Sequence, residues 1–585
     1  MTATDVGTLD VDGSLGARIE ASLVRHRLAA LILIGLLLYV PCLGLWELWY
    51  PDEPDIGEAA QAMYRSGDWV SPRRMGTIWV DYPPMLYWVG VTSSHVLGDM
   101  SPFALRFPNA LAAILVAVIT CLAGSKWFGP RAGFWAGFMV LGFRQFAQQA
   151  IGYRPDILFT VGIAGGLFLY AAGCGEKPRW WLRVAGFAML GFAMLSKGPL
   201  GLLLPGLVLT LWHGSRKEWR RILELAPLAL FSLAVYMPWF SACAKAMGSD
   251  NILFELYAQN VARFFGGARG HAQPIYYYLG NFWVDLYPWA PLLPFALWWS
   301  HRAGLLRDRN QQLLLWWLGT FFVFLSIAVT KRELYLLPAY PAAALLLAPW
   351  IARVGLDETG SPPQPSGRTL RNFGRVIAIV LVVLGAIALL VAGPVFGTLI
   401  EEASLEGPEI EAAEAMKLPL VITGMTTLAA AIWIVVATRQ RQVRGVLYSI
   451  GGGHLALYLV LVLLVLPAAN PAKTYRPAGE WMLTQMGDST HFGLVYSDGV
   501  SGIHKMGAFG YYTGRLVELM ESPEEIDEFF VRHPASIALF HESAADEFLA
   551  GDPAAWRARL VRDDLWAGGR RYLVVGRPEA PPAPP

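Results

Sequence analysis

Residues 376–400 read VIAIVLVVLGAIALLVAGPVFGTLI, 25 consecutive positions without a charged side chain. A helix rises 1.5 Å per residue, so about 20 predominantly apolar residues span the hydrocarbon layer of a bilayer. The run is therefore read as a transmembrane helix. Working outward from it, Leu418 to Thr438 is equally free of charge, and Gly445 to Ala472 holds only His454. Toward the N-terminus, further runs lie at about 28–46, 107–124, 133–151, 157–173, 183–196, 200–213, 222–241, 283–300, 311–329 and 334–352. The expectation is an all-α polytopic membrane protein with about 13 transmembrane helices.

Composition agrees with that reading. Of 585 residues, 55% are hydrophobic and 16% charged, whereas about 25% charged is usual in soluble chains. The 46 Lys and Arg nearly balance the 45 Asp and Glu. This excludes a disordered chain, a conventional soluble multidomain enzyme and a basic nucleic-acid binder, so no nucleic-acid partner is expected.

Positive charge in short loops sets orientation. With Arg18, Arg25 and Arg27 placed in the cytoplasm, every even-numbered gap is basic, including Arg216 to Arg221, Arg368 to Arg375 and Arg439 to Arg444. The odd-numbered gaps hold the acidic segments, such as Glu401 to Glu414. The first apolar run follows Arg25 and Arg27 and lacks a small-residue cleavage site, so no signal peptide is expected. The N-terminus is then cytoplasmic and the C-terminus exoplasmic, read as the periplasm of a bacterial inner membrane. Cys42, Cys121, Cys174 and Cys243 are scattered in or beside apolar runs and form neither a disulfide framework nor a metal motif.

Three blocks follow: a polar segment 1–27, a membrane block 28–470 with long exoplasmic loops at about 47–106 and 242–282, and a small soluble α/β domain 471–585 ending in a Pro-rich tail. In the last block His491 to Tyr496, Ser536 to Phe540 and Tyr572 to Val575 read as strands. Ser522-Pro523-Glu524-Glu525 reads as a helix start. Glu358 to Gly367 reads as a flexible linker.

The candidate chemistry lies in exoplasmic turns. The first long loop carries Asp52, Glu53 and Asp81-Tyr82-Pro83-Pro84 among Trp and Tyr residues; a solvated loop with Pro turns is the plain alternative. Tyr153-Arg154-Pro155-Asp156 has almost no loop around it, and an Arg154–Asp156 ion pair is its structural reading. Lys197 and Lys331 stand on the side where positive charge is otherwise sparse, which suggests an anionic ligand, with lipid-headgroup anchoring as competitor. The second loop carries Arg263 and His271. One His and one carboxylate can seed a metal site completed by water or substrate phosphate. Acids serve as bases or metal ligands, and cations stabilise a phosphate leaving group. Together with bulky apolar walls, these groups suggest chemistry on a lipid-linked phosphate at the membrane surface.

Several stretches carry a family resemblance: PDEPDIGEAAQAMYRSGDWVSPRRMGTIWVDYPPMLYW, ALRFPNAL, RPDILFT, LSKGPLGLLLPGLV, GHAQPIYYYLGNFWVDLYPW and TKRELYLLPAYP, in order across about residues 45–345. In these the chain resembles the bacterial aminoarabinose transferase and protein O-mannosyltransferase-like glycosyltransferases, membrane enzymes of the GT-C fold that use polyprenyl-phosphate sugars. The resemblance implies catalytic Asp52, Glu53 and Asp156, with Lys197, Arg263, Tyr82, Tyr335 and Lys331 binding substrate. It also implies a divalent metal (Zn, Mg or Mn) at Asp81 and His271. The partners implied are a polyprenyl-phosphate-linked sugar donor, a lipid A-like, glycan or protein acceptor, and membrane lipids. Tyr82 stands where aminoarabinose transferases commonly carry Lys, so the resemblance implies the class and not the sugar. A transporter or flippase of lipid-linked glycans is the alternative, but mid-span charges are almost absent.

Overall fold

In the computed structural model the apolar runs become a helical block capped at one face by a small sheet domain. The structure describes residues 15–49, 51–175, 177–266, 272–354, 367–496, 499–542, 544–545 and 559–576. His271, the N-terminal stretch 1–14, linker positions 358–366 and the tail 577–585 lie outside the described residues.

Among the described residues, eight helices are long and apolar enough to cross a membrane, or nine if the bent pair Arg18–Arg25 and Arg27–Cys42 is one span. The helix Gly367–Ala392 shows the reason for the assignment: Val376, Ile379, Val383, Ile387 and Leu390 are all exposed. Such a continuous apolar surface belongs against lipid. The expected 13 spans are not reproduced as uninterrupted helices. The run read at 133–151 breaks into Pro130–Gly142 and Arg144–Ala150, because Phe143 between them is extended (φ −61°, ψ 127°). The run at 283–300 divides among Tyr277–Asp285, the 3₁₀ turn Ala290–Leu292 and Leu293–Arg302. Leu200–Ser215, at 16 residues, is short for a span. An apolar run marks burial as readily as it marks a crossing, and eight or nine uninterrupted spans are counted among the described residues.

Small residues decide how closely two of these helices approach. Asp156–Gly173 and Trp180–Lys197 form an antiparallel hairpin. A Cβ on Gly162 would lie 2.7 Å from Ala193, and one on Gly166 would lie 2.4 Å from Leu190. Near-contact of backbones is the usual role of small residues between membrane helices. The hairpin brings the first residue of one helix, Asp156, beside the last residue of the next, Lys197.

The first long loop forms regular elements. Its helix Glu53–Ser66 ends at Gly67, whose left-handed φ of 69° closes it, and a two-residue hairpin follows, β1 (Arg73–Arg74) with β2 (Thr77–Ile78). The C-terminal domain is a five-stranded sheet of β3 (His491–Val495), β4 (Leu516–Met520), β5 (Ile537–His541), β6 (Leu560–Ala567) and β7 (Arg570–Gly576), in the order β4-β3-β5-β7-β6. β3 runs parallel to β4 and β5, whereas β7 is antiparallel to β5 and β6. Ser522 caps Pro523–Arg532, its side chain accepting from the Glu525 amide at 3.3 Å.

The sheet domain is tied to the membrane block through the first loop. Tyr512 Oη accepts from the Leu48 amide at 3.0 Å and donates to Glu47 at 3.1 Å, and Arg476 meets Glu47 at 3.0 Å. Tyr511 donates to the Met100 carbonyl. The Glu53–Ser66 helix is thereby held between the membrane helices and the helix Gly499–Thr513.

Candidate active site

Arg106 sets the position of the first loop. It is completely buried in the helix Pro102–Phe128, and all five of its N–H donors are used. Nε and Nη2 meet the two Glu53 carboxylate oxygens at 2.9 and 2.7 Å, and the remaining donors go to the carbonyls of Leu43, Trp46 and Glu47 at 2.8–2.9 Å. Glu53 also accepts from the Tyr153 amide at 2.8 Å. Burial raises the Glu53 carboxyl, but Arg106 and these hydrogen bonds outweigh it and hold the group below its ordinary value. Glu53, expected among the catalytic acids, is therefore an anchor, and its occupied carboxylate faces into the fold.

The anchor presents the preceding residue. Asp52 Oδ2 lies 2.9 Å from Arg154 Nη2 and 2.6 Å from Arg332 Nη2. Arg154 thus pairs with Asp52 and not with its sequence neighbour Asp156, whose partner is Lys197. Asp156 is 3% exposed, a depth at which a carboxylate persists only when paired. The Lys197 ammonium also stands 4.5 Å from the Tyr335 ring centroid and 6.0 Å from that of Phe159.

Next to these groups lies a cavity of about 520 Å³. Asp81, Tyr82, Lys197, Arg263 and Tyr335 line its polar end; Leu204, Trp239, Phe264 and Phe324 are among its apolar walls. Arg263 Nη2 faces Asp81 Oδ1 at 3.8 Å. Tyr82 is held far above an ordinary phenol by burial, with Asp81 adding to the effect, so its hydroxyl is neutral. Among the described residues, the cations lining this cavity are Lys197 and Arg263. A second groove, about 600 Å³, opens between Leu200–Ser215 and Arg309–Ile327 and shares Phe324 with the first.

Lys331, expected to bind substrate, is engaged by backbone carbonyls. It is 3% exposed and donates to the Gln273 carbonyl at 2.8 Å and to the Ala328 carbonyl. It fastens the second long loop to the turn at 328–332. Its neighbour Arg332, not singled out from sequence, is the residue that reaches Asp52; its place in the same TKRE turn was the available signal. Of the expected metal pair, only Asp81 is described, and no described His, Cys, Asp or Glu joins it in a three-donor cluster.

The arrangement suits an amphiphilic anion. Lys and Arg at one end can hold a phosphate, and the apolar walls can hold a hydrocarbon chain.

The chain is similar to several known proteins. A family profile described as dolichyl-phosphate-mannose-protein mannosyltransferase matches residues 81–241. The undecaprenyl phosphate-alpha-4-amino-4-deoxy-L-arabinose arabinosyl transferase of Edwardsiella ictaluri is 30% identical over 375 residues, 60% of this chain and 64% of the relative. The protein of that name in Pseudomonas aeruginosa strain UCBPP-PA14 is 32% identical over 371 residues, 62% of this chain and 64% of the relative. In Pseudomonas savastanoi pv. phaseolicola it is 30% identical over 376 residues, 63% of this chain and 67% of the relative. The chain thus spans just under two thirds of the length of the first two. ArnT from Cupriavidus metallidurans, crystallised with undecaprenyl phosphate, shares the fold: TM-score 0.71 at 20% identity, covering 94% of this chain and 98% of that one. With this GT-C architecture over nearly its whole length and 30% identity across 67% of a relative, the chain belongs to the aminoarabinose transferase family of polytopic membrane proteins.

Proposed function

We propose that this protein transfers a sugar from a polyprenyl-phosphate donor to an acceptor at the membrane face that carries the sheet domain. The observation that carries the reading is the cavity: apolar walls for a polyprenyl chain, ending at Lys197 and Arg263 for its phosphate. Relatives named as undecaprenyl phosphate-aminoarabinose transferases support it.

An acceptor oxygen attacks the anomeric carbon from the side opposite the phosphate. The new C–O bond forms as the bond from carbon to the phosphate oxygen breaks, with inversion, and the electron pair leaves on the lipid phosphate. Lys197 and Arg263 stabilise that charge. Asp52, held between Arg154 and Arg332, orients the acceptor and takes its proton when the acceptor is a hydroxyl; an anionic phosphate acceptor needs no base. A divalent ion (Zn, Mg or Mn) at Asp81 and His271 would add positive charge at the phosphate, and no step above needs it. The acceptor is a lipid A-like glycolipid, a glycan or a protein. Basic loops on the opposite face support a site on the periplasmic side of a bacterial inner membrane, with a cytoplasmic N-terminus.

The test is incubation of purified protein in detergent with radiolabelled polyprenyl-phosphate sugars and candidate acceptors. Release of free lipid phosphate with labelled acceptor supports transfer. Its absence with every donor and acceptor points to the transport alternative. Mass spectrometry of lipid A and periplasmic glycans from cells with and without the protein then identifies the product.

A further inference from the structure

The sheet domain carries a cluster that the transfer reaction does not use. His491 opens β3, Glu518 sits in β4, and His533 directly follows the helix Pro523–Arg532. The parallel register sets His491 opposite Leu516 and Gly493 opposite Glu518, so His491 and Glu518 are diagonal neighbours on one face of the sheet. The helix C-terminus then lays His533 over them. One donor atom from each of the three residues lies within 4.8 Å of the others.

The surroundings hold Glu518 and His491 in place, and His533 rests on Glu518. His533 Nε2 stands 2.8 Å from Glu518 Oε1, and Arg532 holds the other carboxylate oxygen, Oε2, at 2.8 Å. Thr490 Oγ1 lies 2.8 Å from His491 Nδ1, which leaves Nε2 of that ring as the lone pair when Nδ1 carries the proton. The His491 carbonyl accepts from Ser489 at 2.9 Å and from Ser536. The two imidazoles face each other at 4.3 Å between ring centroids. Ligating imidazoles and carboxylates are typically fixed by outer hydrogen bonds of this kind.

We propose that His491, Glu518 and His533 form a metal site for a divalent first-row transition cation. Two imidazole nitrogens and one carboxylate oxygen suit Zn²⁺ in a tetrahedral arrangement whose fourth position is open to water or an external ligand. The ion joins the ends of β3, β4 and the Pro523–Arg532 helix, far in sequence from Asp81.

The experiment uses the full-length protein in detergent, stripped with EDTA and titrated with Zn²⁺ against a chromogenic chelator. Wild type, His533→Ala and Asp81→Asn are compared, and Co²⁺ is substituted to read its visible absorption. The expected result is a Zn²⁺ equivalent that Asp81→Asn retains and that His533→Ala weakens by at least about 100-fold, a loss that even outer-shell changes can cause. If His533→Ala unfolds, His491→Gln leaves the Glu518 contacts with Arg532 and His533 intact and carries the same comparison. No Zn²⁺ uptake by wild type, or wild-type stoichiometry and affinity in both His variants, overturns the proposal.

Discussion

The Asp52 carboxylate and the Arg332 guanidinium are 280 positions apart in the chain and meet at 2.6 Å. Arg154 approaches the same oxygen, Oδ2, at 2.9 Å, so one carboxylate joins the first loop to two turns of the helical block. Asp52 remains 24% exposed on its side chain, accessible to an acceptor.

Asp52→Asn keeps the shape of the side chain and removes its charge. Transfer should fall by about 10²–10⁴-fold, the usual contribution of a positioned base, with expression and membrane insertion unchanged. Turnover of the labelled donor by the purified variant measures this. Full activity would remove Asp52 from the mechanism.

Lys197→Met should cost both folding and transfer. It leaves Asp156, with a side chain 4% exposed, as an uncompensated charge, at a cost of about 3–5 kcal/mol. The double variant Asp156→Asn, Lys197→Met should regain much of the thermal midpoint, since no lone charge remains. It should not regain activity, because the cation at the cavity is still missing. Recovery of both would make the pair structural only.

Arg106→Lys should be nearly as damaging as Arg106→Ala, at about 3–5 kcal/mol. An ammonium has three donors and no planar fork, so it cannot satisfy two carboxylate oxygens and three carbonyls together. Thermal unfolding of the detergent-solubilised variants is the measurement. A lysine variant of wild-type stability would show that the donor count does not matter.

Docking of the sheet domain should depend on pH. Burial pushes both Asp55 and Glu58 up to about 7. Asp52, Glu58 and Asp81 add to the effect on Asp55, and Arg74, 3.4 Å away, opposes it. Glu58 is opposed by the Met75 amide, Arg74 and Arg65. Across the interface, the helix Gly499–Thr513 brings Gly507 against Asp55 and Gly510 against Glu58. A carboxyl raised on folding binds its proton more tightly when folded, so stability is full below the unfolded value near 4 and is lost as pH rises through about 7. Protection factors in Glu53–Ser66 and Gly499–Thr513, taken relative to the intrinsic exchange rate at each pH, should therefore be higher at pH 5.5 than at 8.5. Asp55→Asn should flatten part of the difference; an unchanged pH response in that variant would assign the effect elsewhere.

Helix placement was legible because transfer free energy sums over neighbours in the chain. Strand placement was legible for the three central strands and not for the two edges. His491–Val495, Ile537–His541 and Arg570–Gly576 match stretches read as strands, whereas Leu516–Met520 and Leu560–Ala567 were missed. The last is a polar edge strand, with exposed Leu560 and Val561 beside Arg562, Asp563 and Asp564, and has no apolar alternation to find.

Charge location was likewise written in the sequence: acids, Lys and Arg in turns between apolar runs, with Asp52, Asp81, Asp156, Lys197 and Arg263 all named from it. Partner choice was not. Proximity in the chain suggested Arg154 for Asp156, but close packing at Gly162 and Gly166 puts Lys197 there and releases Arg154 to Asp52. Similarly, Glu53 and Lys331 share the chemistry of site residues and are used up by Arg106 and by backbone carbonyls. Sequence alone determined that this is a multi-pass membrane protein with its chemistry gathered at loops, because hydropathy is local and additive. Which charge meets which was decided by tertiary structure, because an ion pair depends on angstrom distances between helices that only packing sets.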